Sequence, residues 1–248
     1  YGIYNATTKN CLGVVGSQYV PTQPADILSN FLEAMEAHNI SDEKIEYNEL
    51  KGGSKIIFSA PFNTVTFTNM KGNKDESIVT LNYQTGYDGL TKSSLFLSTF
   101  RMICSNGMKA NKTEFNTSFK NTAGNVQKMS NLIGDVSKSI AMFSELDSLI
   151  KHLNTVKVTS PNVRSFVNAL LEIKADEELS TRKTNIINDL MASIDLEFNR
   201  TGASAWGLLN GVTHYTNHKV NADNRLDYLY VDNGAALNER AQKLVLAF

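Results

Sequence analysis

Hydrophobic and polar residues alternate along much of the first 118 residues, whereas hydrophobic residues recur mostly at helical spacing after about residue 121. The alternating part begins with a hairpin at residues 1–15. A helix follows from Asp26 to about His38, and then a meander of strands, which we predict at 44–50, 55–61, 64–68 and 76–85. Strands followed by helices predict the α+β class, here with an N-terminal antiparallel β-meander.

After the glycine-rich turn at 86–89 the spacing becomes helical again, and it predicts a helix at 93–105 with a serine as N-cap. Its apolar stripe would consist of Phe96, Phe100 and Ile103. Arg101 would lie on the opposite, polar face. The sheet would therefore be flanked by helices at 26–38 and 93–105.

Residues 121–153 carry apolar residues at alternating spacings of three and four, which predicts one long helix. We interpret it as a helix packed on the sheet or on another helix, and a self-associating coiled coil is the alternative. Shorter helices are predicted at 162–173, 182–198, 203–217 and 234–247. We therefore divide the chain into a sheet core at 1–120 and a mainly helical part at 121–248, packed as one continuous domain.

The composition is that of a soluble globular protein, with 24 Lys and Arg, 25 Asp and Glu, and 42% hydrophobic residues. A net charge of −1 excludes nucleic-acid binding by bulk charge but permits a local basic groove. Cys11 and Cys104 form neither a disulfide framework nor a thiolate zinc motif, so we expect a reducing cytoplasm. We expect no membrane span, since no apolar run is long enough. The chain starts at Tyr1 rather than Met, so a targeting segment could precede it in the natural protein.

Motifs for nucleotide binding and for catalysis are absent from the sequence. It contains neither a phosphate-binding P-loop nor the glycine fingerprint of dinucleotide-binding folds, so we expect no nucleotide cofactor. A nucleophile elbow of the G-x-S-x-G type is also missing. We assign no catalytic residue and no cofactor, and expect a protein that is not an enzyme.

Two histidines stand four residues apart, His214 and His218, on the helix predicted at 203–217. This spacing places both rings on one helix face, where they could bind a metal. Position 215 is Tyr, so the glutamate of the zinc-protease motif is missing. We interpret the pair as packing histidines with hydrogen-bonded rings and keep a metal site as the weaker alternative.

Lysines, an arginine and tyrosines are scattered across the predicted sheet and the helix after it. Residues 92–120 hold five Lys and Arg and a single acid, Glu114. Cations that contact phosphates and aromatic rings that stack on bases are what a single-stranded nucleic-acid binder requires. The candidate nucleic-acid-binding residues are Lys55, Lys71, Lys74, Tyr83, Tyr87, Lys92, Arg101, Lys109 and Lys112. The alternative is an ordinary solvated charged surface.

Three stretches together resemble a known family. They are CLGVVGSQY at 11–19, FRMICSNGM at 100–108 and SAWGLLNGVTHY at 204–215. The chain resembles the phage and plasmid-like family of bacterial and bacteriophage proteins known as domain of unknown function 932. The resemblance spans nearly the whole chain, and it implies a phage or prophage protein without implying an activity.

A more distant resemblance concerns the order of elements. The helix at 26–38, the meander at 44–85 and the helix at 93–105 look like the β-β-β-α core of the single-strand annealing superfamily. This resemblance implies rings or filaments of identical chains that hold single-stranded DNA in a basic groove and anneal it without ATP during recombination. Lys92 and Arg101 would flank that groove. We expect the protein to act in the cytoplasm of a bacterial host cell.

Two other functions fit the sequence. The first is a non-enzymatic phage or plasmid accessory protein that binds another protein through the helix at 121–153. The second is a metal-dependent enzyme built around His214 and His218. Salt-sensitive binding to single strands would distinguish the annealing protein from both.

Overall fold

The computed structural model describes residues 1–101, 106–109, 116–126 and 132–248, with side chains at 1–99, 118–124 and 136–248. Antiparallel strands dominate its N-terminal part and helices its C-terminal part, which confirms the α+β prediction. The chain begins with the predicted hairpin, formed by β1 (Gly2–Tyr4) and β2 (Cys11–Val14). Helix α1 (Pro24–Ala37) follows close to its predicted bounds and buries Ile27, Phe31, Ala34 and Met35.

A six-stranded sheet follows α1. Its strands lie in the order β3-β4-β5-β6-β7, and an additional strand, β8, pairs with β6. The pairs β3–β4 and β6–β8 are antiparallel. The bounds are β3 (Glu46–Leu50), β4 (Lys55–Thr68), β5 (Lys74–Gly86), β6 (Ser93–Arg101), β7 (Asn106–Lys109) and β8 (Asn116–Phe119). A short 3-10 turn, Lys51–Gly53, joins β3 to β4.

Strand β4 is continuous through Pro61, where the sequence predicted a break between two strands. Proline cannot donate a hydrogen bond to a neighbouring strand, so it is confined to strand edges and bulges. The register of β3 on β4 ends at Ser59. Pro61 therefore lies where β4 has passed the end of β3, so the missing N–H costs no bond to β3.

The helix predicted at 93–105 is wrong, because residues 93–101 form strand β6. Residues 102–105 lie outside the described part of the chain. Leu95, Phe96 and Leu97 are all buried, as are the serines at positions 93, 94 and 98. A strand that is buried on both faces does not show the alternation that identifies a half-exposed strand. The helical spacing of Phe96 and Phe100 was therefore coincidental.

The helical part begins with α2 (Ala123–Val126) and α3 (Leu132–Thr155). They occupy most of the region where one helix was predicted at 121–153, and residues 127–131 lie outside the described part. Val136, Leu146, Ile150 and Leu153 of α3 are buried. Their burial fits a helix packed within its own chain better than an exposed coiled-coil stripe.

The remaining helices agree with the predicted order, apart from α7, which was not predicted. They are α4 (Ser160–Leu170), α5 (Thr181–Thr201), α6 (Ala205–His214), α7 (Arg225–Tyr230) and α8 (Asn233–Val245). A π-helical segment, Tyr215–Lys219, extends α6 without a break. None of the helices described is long and apolar enough to cross a membrane.

The chain forms two compact units, each assembled from three segments. The first unit contains Tyr1–Asn63, Val79–Ser98 and Ala110–Ser144. The second contains Thr64–Ile78, Thr99–Lys109 and Glu145–Phe248. The core of the first unit consists of α1 and of strand residues such as Ile57, Leu81 and Phe96.

Helix α6 is the central element of the second unit, where it packs against α5, α8 and β7. Residues 205–213 are all buried, and Trp206 makes an edge-on contact with Phe67 at 6.1 Å between ring centroids. The hydroxyl of Ser204 accepts a hydrogen bond from the Gly207 N–H and caps the start of the helix. Two glycines, Gly207 and Gly211, permit α5 to approach closely.

Candidate functional site

Two lysines lie at one end of the β6–β8 pair. The antiparallel register joins Ser93 to Phe119 and Ser94 to Ser118, and Lys92 and Lys120 are the residues that come directly beyond the Ser93–Phe119 pair. Both side chains are exposed. Like charges directly opposite each other destabilise a strand pair. An anion bound between the two ammonium groups would relieve that repulsion.

The turn that precedes Lys92 and β6 is closed by the carboxylate of Asp88. One carboxylate oxygen of Asp88 accepts from the Leu90 and Thr91 N–H groups at 2.9 and 2.7 Å, and the other accepts from the Thr91 hydroxyl at 2.7 Å. Burial raises the pKa of Asp88. The hydrogen bonds from Thr91 and Leu90 and the ammonium of Lys55 together lower it by more, so the pKa lies below its usual value. The turn is therefore closed by an ionised carboxylate.

Asn121, the residue after Lys120, ties the end of β8 to the same turn. Its amide nitrogen donates to Thr85 Oγ1 at 3.2 Å, to the Gly86 carbonyl at 3.1 Å and to the Thr91 carbonyl at 3.4 Å. Its carbonyl oxygen accepts from the Ser93 hydroxyl. Asn121 is only 7% exposed. One buried amide thus connects the end of β5, the turn and the start of β6.

Replacing Asn121 by Ala should lower the free energy of unfolding by about 3 kcal/mol, because buried polar groups of the turn lose their partner at a cost of about 1–3 kcal/mol each. Urea denaturation followed by circular dichroism measures this. Asn188→Ala is the matched control, since Asn188 is exposed on α5, and it should change stability by less than about 0.5 kcal/mol. Equal stability of the two variants would contradict the role assigned to Asn121.

The N-terminal hairpin lies against the same turn. A Cβ atom at Gly13 would come within 2.4 Å of the Tyr87 carbonyl oxygen and 2.5 Å of the Asp88 Cα, so β2 can approach only with glycine there. The Tyr19 hydroxyl donates to the Gly86 carbonyl. The motif at 11–19 therefore has a structural role, which is to dock the hairpin on the turn that precedes Lys92.

The other predicted lysines do not join this pair. Lys55 is partly buried and forms an ion pair with Asp88 at 3.6 Å. Lys71 and Lys74 are exposed at the turn between β4 and β5, which is at the other end of β5 from the turn of Asp88. Lys74 also forms an ion pair with Glu76 at 2.5 Å.

The stacking role predicted for Tyr83 and Tyr87 does not fit their burial, since they are only 0% and 6% exposed. Neither ring offers a face to a base. Burial raises the pKa of Tyr83 to about 12. The Tyr87 hydroxyl donates to the Thr22 carbonyl at 2.9 Å, which adds to the packing around the turn.

Three predicted residues follow Lys92 along the chain. Arg101 is the last residue of β6 and Lys109 the last residue of β7. Arg101 is thus on a strand, whereas a helix was predicted. Lys112 lies outside the described residues. Lys120 belongs to the basic stretch at 92–120, but the sequence alone did not identify it as a site residue. Its place beside Lys92 depends on the long-range pairing of β6 with β8.

The two histidines are close together in the second unit. Their ring centroids are 4.9 Å apart, and the ring planes make an angle of 46°. His214 is half-buried, whereas His218 is exposed. Burial lowers the pKa of His214, and the nearby His218 lowers it further. The interpretation of the pair as packing histidines with hydrogen-bonded rings fits His214, whose Nδ1 lies 3.2 Å from Ser193 Oγ, better than the exposed His218.

Comparison with known proteins gives one match. Residues 11–242 match the model of the family described as Domain of unknown function (DUF932). The match includes all three of the stretches at 11–19, 100–108 and 204–215. No curated protein and no solved structure matches the chain.

Proposed function

The chain belongs to the family Domain of unknown function (DUF932), and we propose that it binds single-stranded DNA through the lysine pair Lys92 and Lys120. This pair is the observation that carries the proposal. The two exposed ammonium groups lie directly beyond the last paired residues of β6 and β8, where each can contact a phosphate of one strand.

Charge along the chain supports the same assignment. Residues 92–120 contain five Lys and Arg and one acid, although the whole chain has a net charge of −1. A local basic stretch on a nearly neutral protein favours a confined path for a polyanion over general adhesion to nucleic acid. Arg101, Lys109 and Lys112 belong to this stretch and are further candidates for phosphate contacts.

We extend the proposal to ATP-independent strand annealing by an oligomer, in a phage or prophage protein that acts in the bacterial cytoplasm. The sequence contains no P-loop, so hydrolysis of ATP is not part of the proposal. The element order that suggested the annealing superfamily included a helix at 93–105, and β6 occupies that place. The proposed annealing activity is therefore tested separately from DNA binding.

The test has two parts. Binding of the full chain to fluorescent oligo-dT is measured between 50 mM and 500 mM salt, and annealing of complementary oligonucleotides is measured without nucleotide. The proposal expects log affinity to fall linearly with log salt and annealing to speed up. Salt-dependent binding without faster annealing would support DNA binding and contradict the annealing activity. A folded protein that shows neither would contradict the proposal.

An exposed tyrosine on the N-terminal hairpin can take over the base-stacking role that was predicted for the two buried tyrosines. Tyr4 on β1 is 63% exposed, and its ring covers Gly2, where a Cβ atom would come within 2.6 Å of Tyr4 Cε2. The hairpin that carries it packs on the turn of Asp88. We therefore assign to Tyr4 the stacking role that the sequence assigned to Tyr83 and Tyr87.

Replacing Tyr4 by Ala should weaken binding to oligo-dT by about 1–3 kcal/mol, which is the usual contribution of one stacked base. The salt dependence of binding should not change, because no phosphate contact is lost. Fluorescence anisotropy at three salt concentrations measures both. Tyr4→Phe is the control and should bind like the wild type. A Tyr4→Ala variant with wild-type affinity would remove Tyr4 from the site.

The rival function, binding of another protein through the helix at 121–153, gains no support from α3. Among the described apolar residues of that stripe, Val136, Ile150 and Leu153 are buried within this chain, whereas Ile140 and Phe143 are partly exposed. The Phe143 ring also packs edge-on against Phe62 of the same chain. This burial is the reason why DNA binding stays the leading proposal.

A further inference from the structure

The histidine pair lies where α6 continues into a π-helical segment. His214 is the last residue of α6, and His218 belongs to the segment Tyr215–Lys219. Insertions of π-helix into α-helices occur frequently at functional sites. Helix α5 packs against this region and presents Ser193 to His214, with His214 Nδ1 and Ser193 Oγ 3.2 Å apart.

The hydrogen bonds of Ser193 favour one tautomer of His214. The Ser193 hydroxyl donates to the Asp189 carbonyl at 2.9 Å. With that proton engaged, the contact with His214 Nδ1 is satisfied when Nδ1–H donates to Ser193 Oγ. In this tautomer the second nitrogen, Nε2, keeps its lone pair. Metal-binding histidines are oriented in the same way, by donating their other N–H to a neighbouring acceptor.

The geometry points to a shared metal ion: we propose that His214 and His218 together bind one divalent transition-metal ion of the zinc type. Zinc binds an imidazole nitrogen at about 2.0–2.1 Å. The ring centroids are 4.9 Å apart, which is close enough for a single ion to reach one nitrogen of each ring.

The site would be open. No group of three or more His, Cys, Asp or Glu in the part of the chain described here is arranged to hold a metal. Two histidines would therefore supply two coordination positions, and water or an exchangeable ligand would complete the set. Open positions characterise zinc sites that exchange ligands rather than sites that only stabilise a fold.

Titration of the full chain with zinc chloride, followed by calorimetry at pH 7.5, tests the proposal without any nucleic acid. All proteins carry Cys11→Ser, because the exposed thiol of Cys11 would compete for zinc. We expect one ion per chain, and weaker binding as the pH falls below about 6.5, where protons compete for imidazole. Absence of binding, or binding that is independent of pH, would overturn the proposal.

Three variants locate the ion. His218→Ala should weaken zinc binding about 10-fold or more without unfolding the protein, since His218 is exposed. His152→Ala is the matched control, an exposed histidine on α3, and should bind zinc as the parent does. Ser193→Ala removes the acceptor of the His214 N–H and should weaken binding about 10–100-fold. Equal affinity of the His218→Ala and His152→Ala proteins would overturn the assignment.

Discussion

Replacing Gly211 by Val is expected to lower the free energy of unfolding by about 3 kcal/mol, at the upper end of the usual cost of overpacking a core. A Cβ atom at this position would lie 2.6 Å from both Cα and Cγ1 of Ile194 on α5. No rotation of a side chain can remove a clash with a Cα atom, so the two helices must separate. Because α6 also packs on α8 and β7, the separation disturbs the centre of the second unit.

The expected shift in melting temperature follows from the size of the chain. For a protein of about 150–250 residues, 1 kcal/mol corresponds to about 2–4 °C, so Gly211→Val should melt about 6–12 °C lower than the wild type. Differential scanning calorimetry measures this. Gly124→Ala is the control, because nothing lies within 4 Å of a Cβ atom there. Alanine favours helix over glycine by about 1 kcal/mol, so this variant should be unchanged or more stable. Equal melting of both variants would show that the close approach of α5 and α6 is not required.

Most of the fold follows from local patterns in the sequence. The hairpin at the N-terminus, α1 and α4 to α6 were predicted from local signals alone. The error at β6 has a different origin, since burial of both faces is imposed by neighbours that are distant in sequence. The hydroxyl of Ser98, for example, accepts a hydrogen bond from Asn82 Nδ2 at 2.9 Å. A buried serine satisfied in this way looks, in the sequence alone, like an exposed polar residue.

The candidate sites could be predicted only in part, for the same reason. The spacing of His214 and His218 is visible in the sequence, but the tautomer of His214 depends on Ser193 and Asp189, which belong to another helix. Lys92 was predicted as a site residue, whereas Lys120, which follows β8, lies 28 residues further along the chain. Only the pairing of β6 with β8 brings the two lysines together.

Replacing both Lys92 and Lys120 by Glu should weaken binding to oligo-dT about 60-fold or more at 50 mM salt. Each phosphate contact on a single strand contributes a slope of about 0.7 to the dependence of log affinity on log salt. Relative to 1 M salt, one contact is therefore worth about a factor of 8 at 50 mM, and two contacts about a factor of 60. Repulsion between the new carboxylates and the phosphates adds to this loss.

The slope of the salt plot distinguishes lost contacts from damage to the fold. It should decrease by about 1.4 in the double variant, equally for oligo-dT and for mixed sequences, because phosphate contacts carry no base information. The control is the double replacement of Lys44 and Lys174 by Glu. Both are exposed, and their replacement changes the net charge by the same amount. The control should keep most of its affinity and nearly all of its slope.

Stability provides the second constraint on this prediction. Two glutamates at these positions repel each other as the two lysines do, so the double replacement should leave the melting temperature close to that of the wild type. If the double variant is folded but has lost both affinity and part of the slope of log affinity against log salt, the phosphate path lies at this end of the β6–β8 pair. If it binds as the wild type does while the control variant binds weakly, the basic path lies elsewhere on the protein, and the lysine pair has no part in DNA binding.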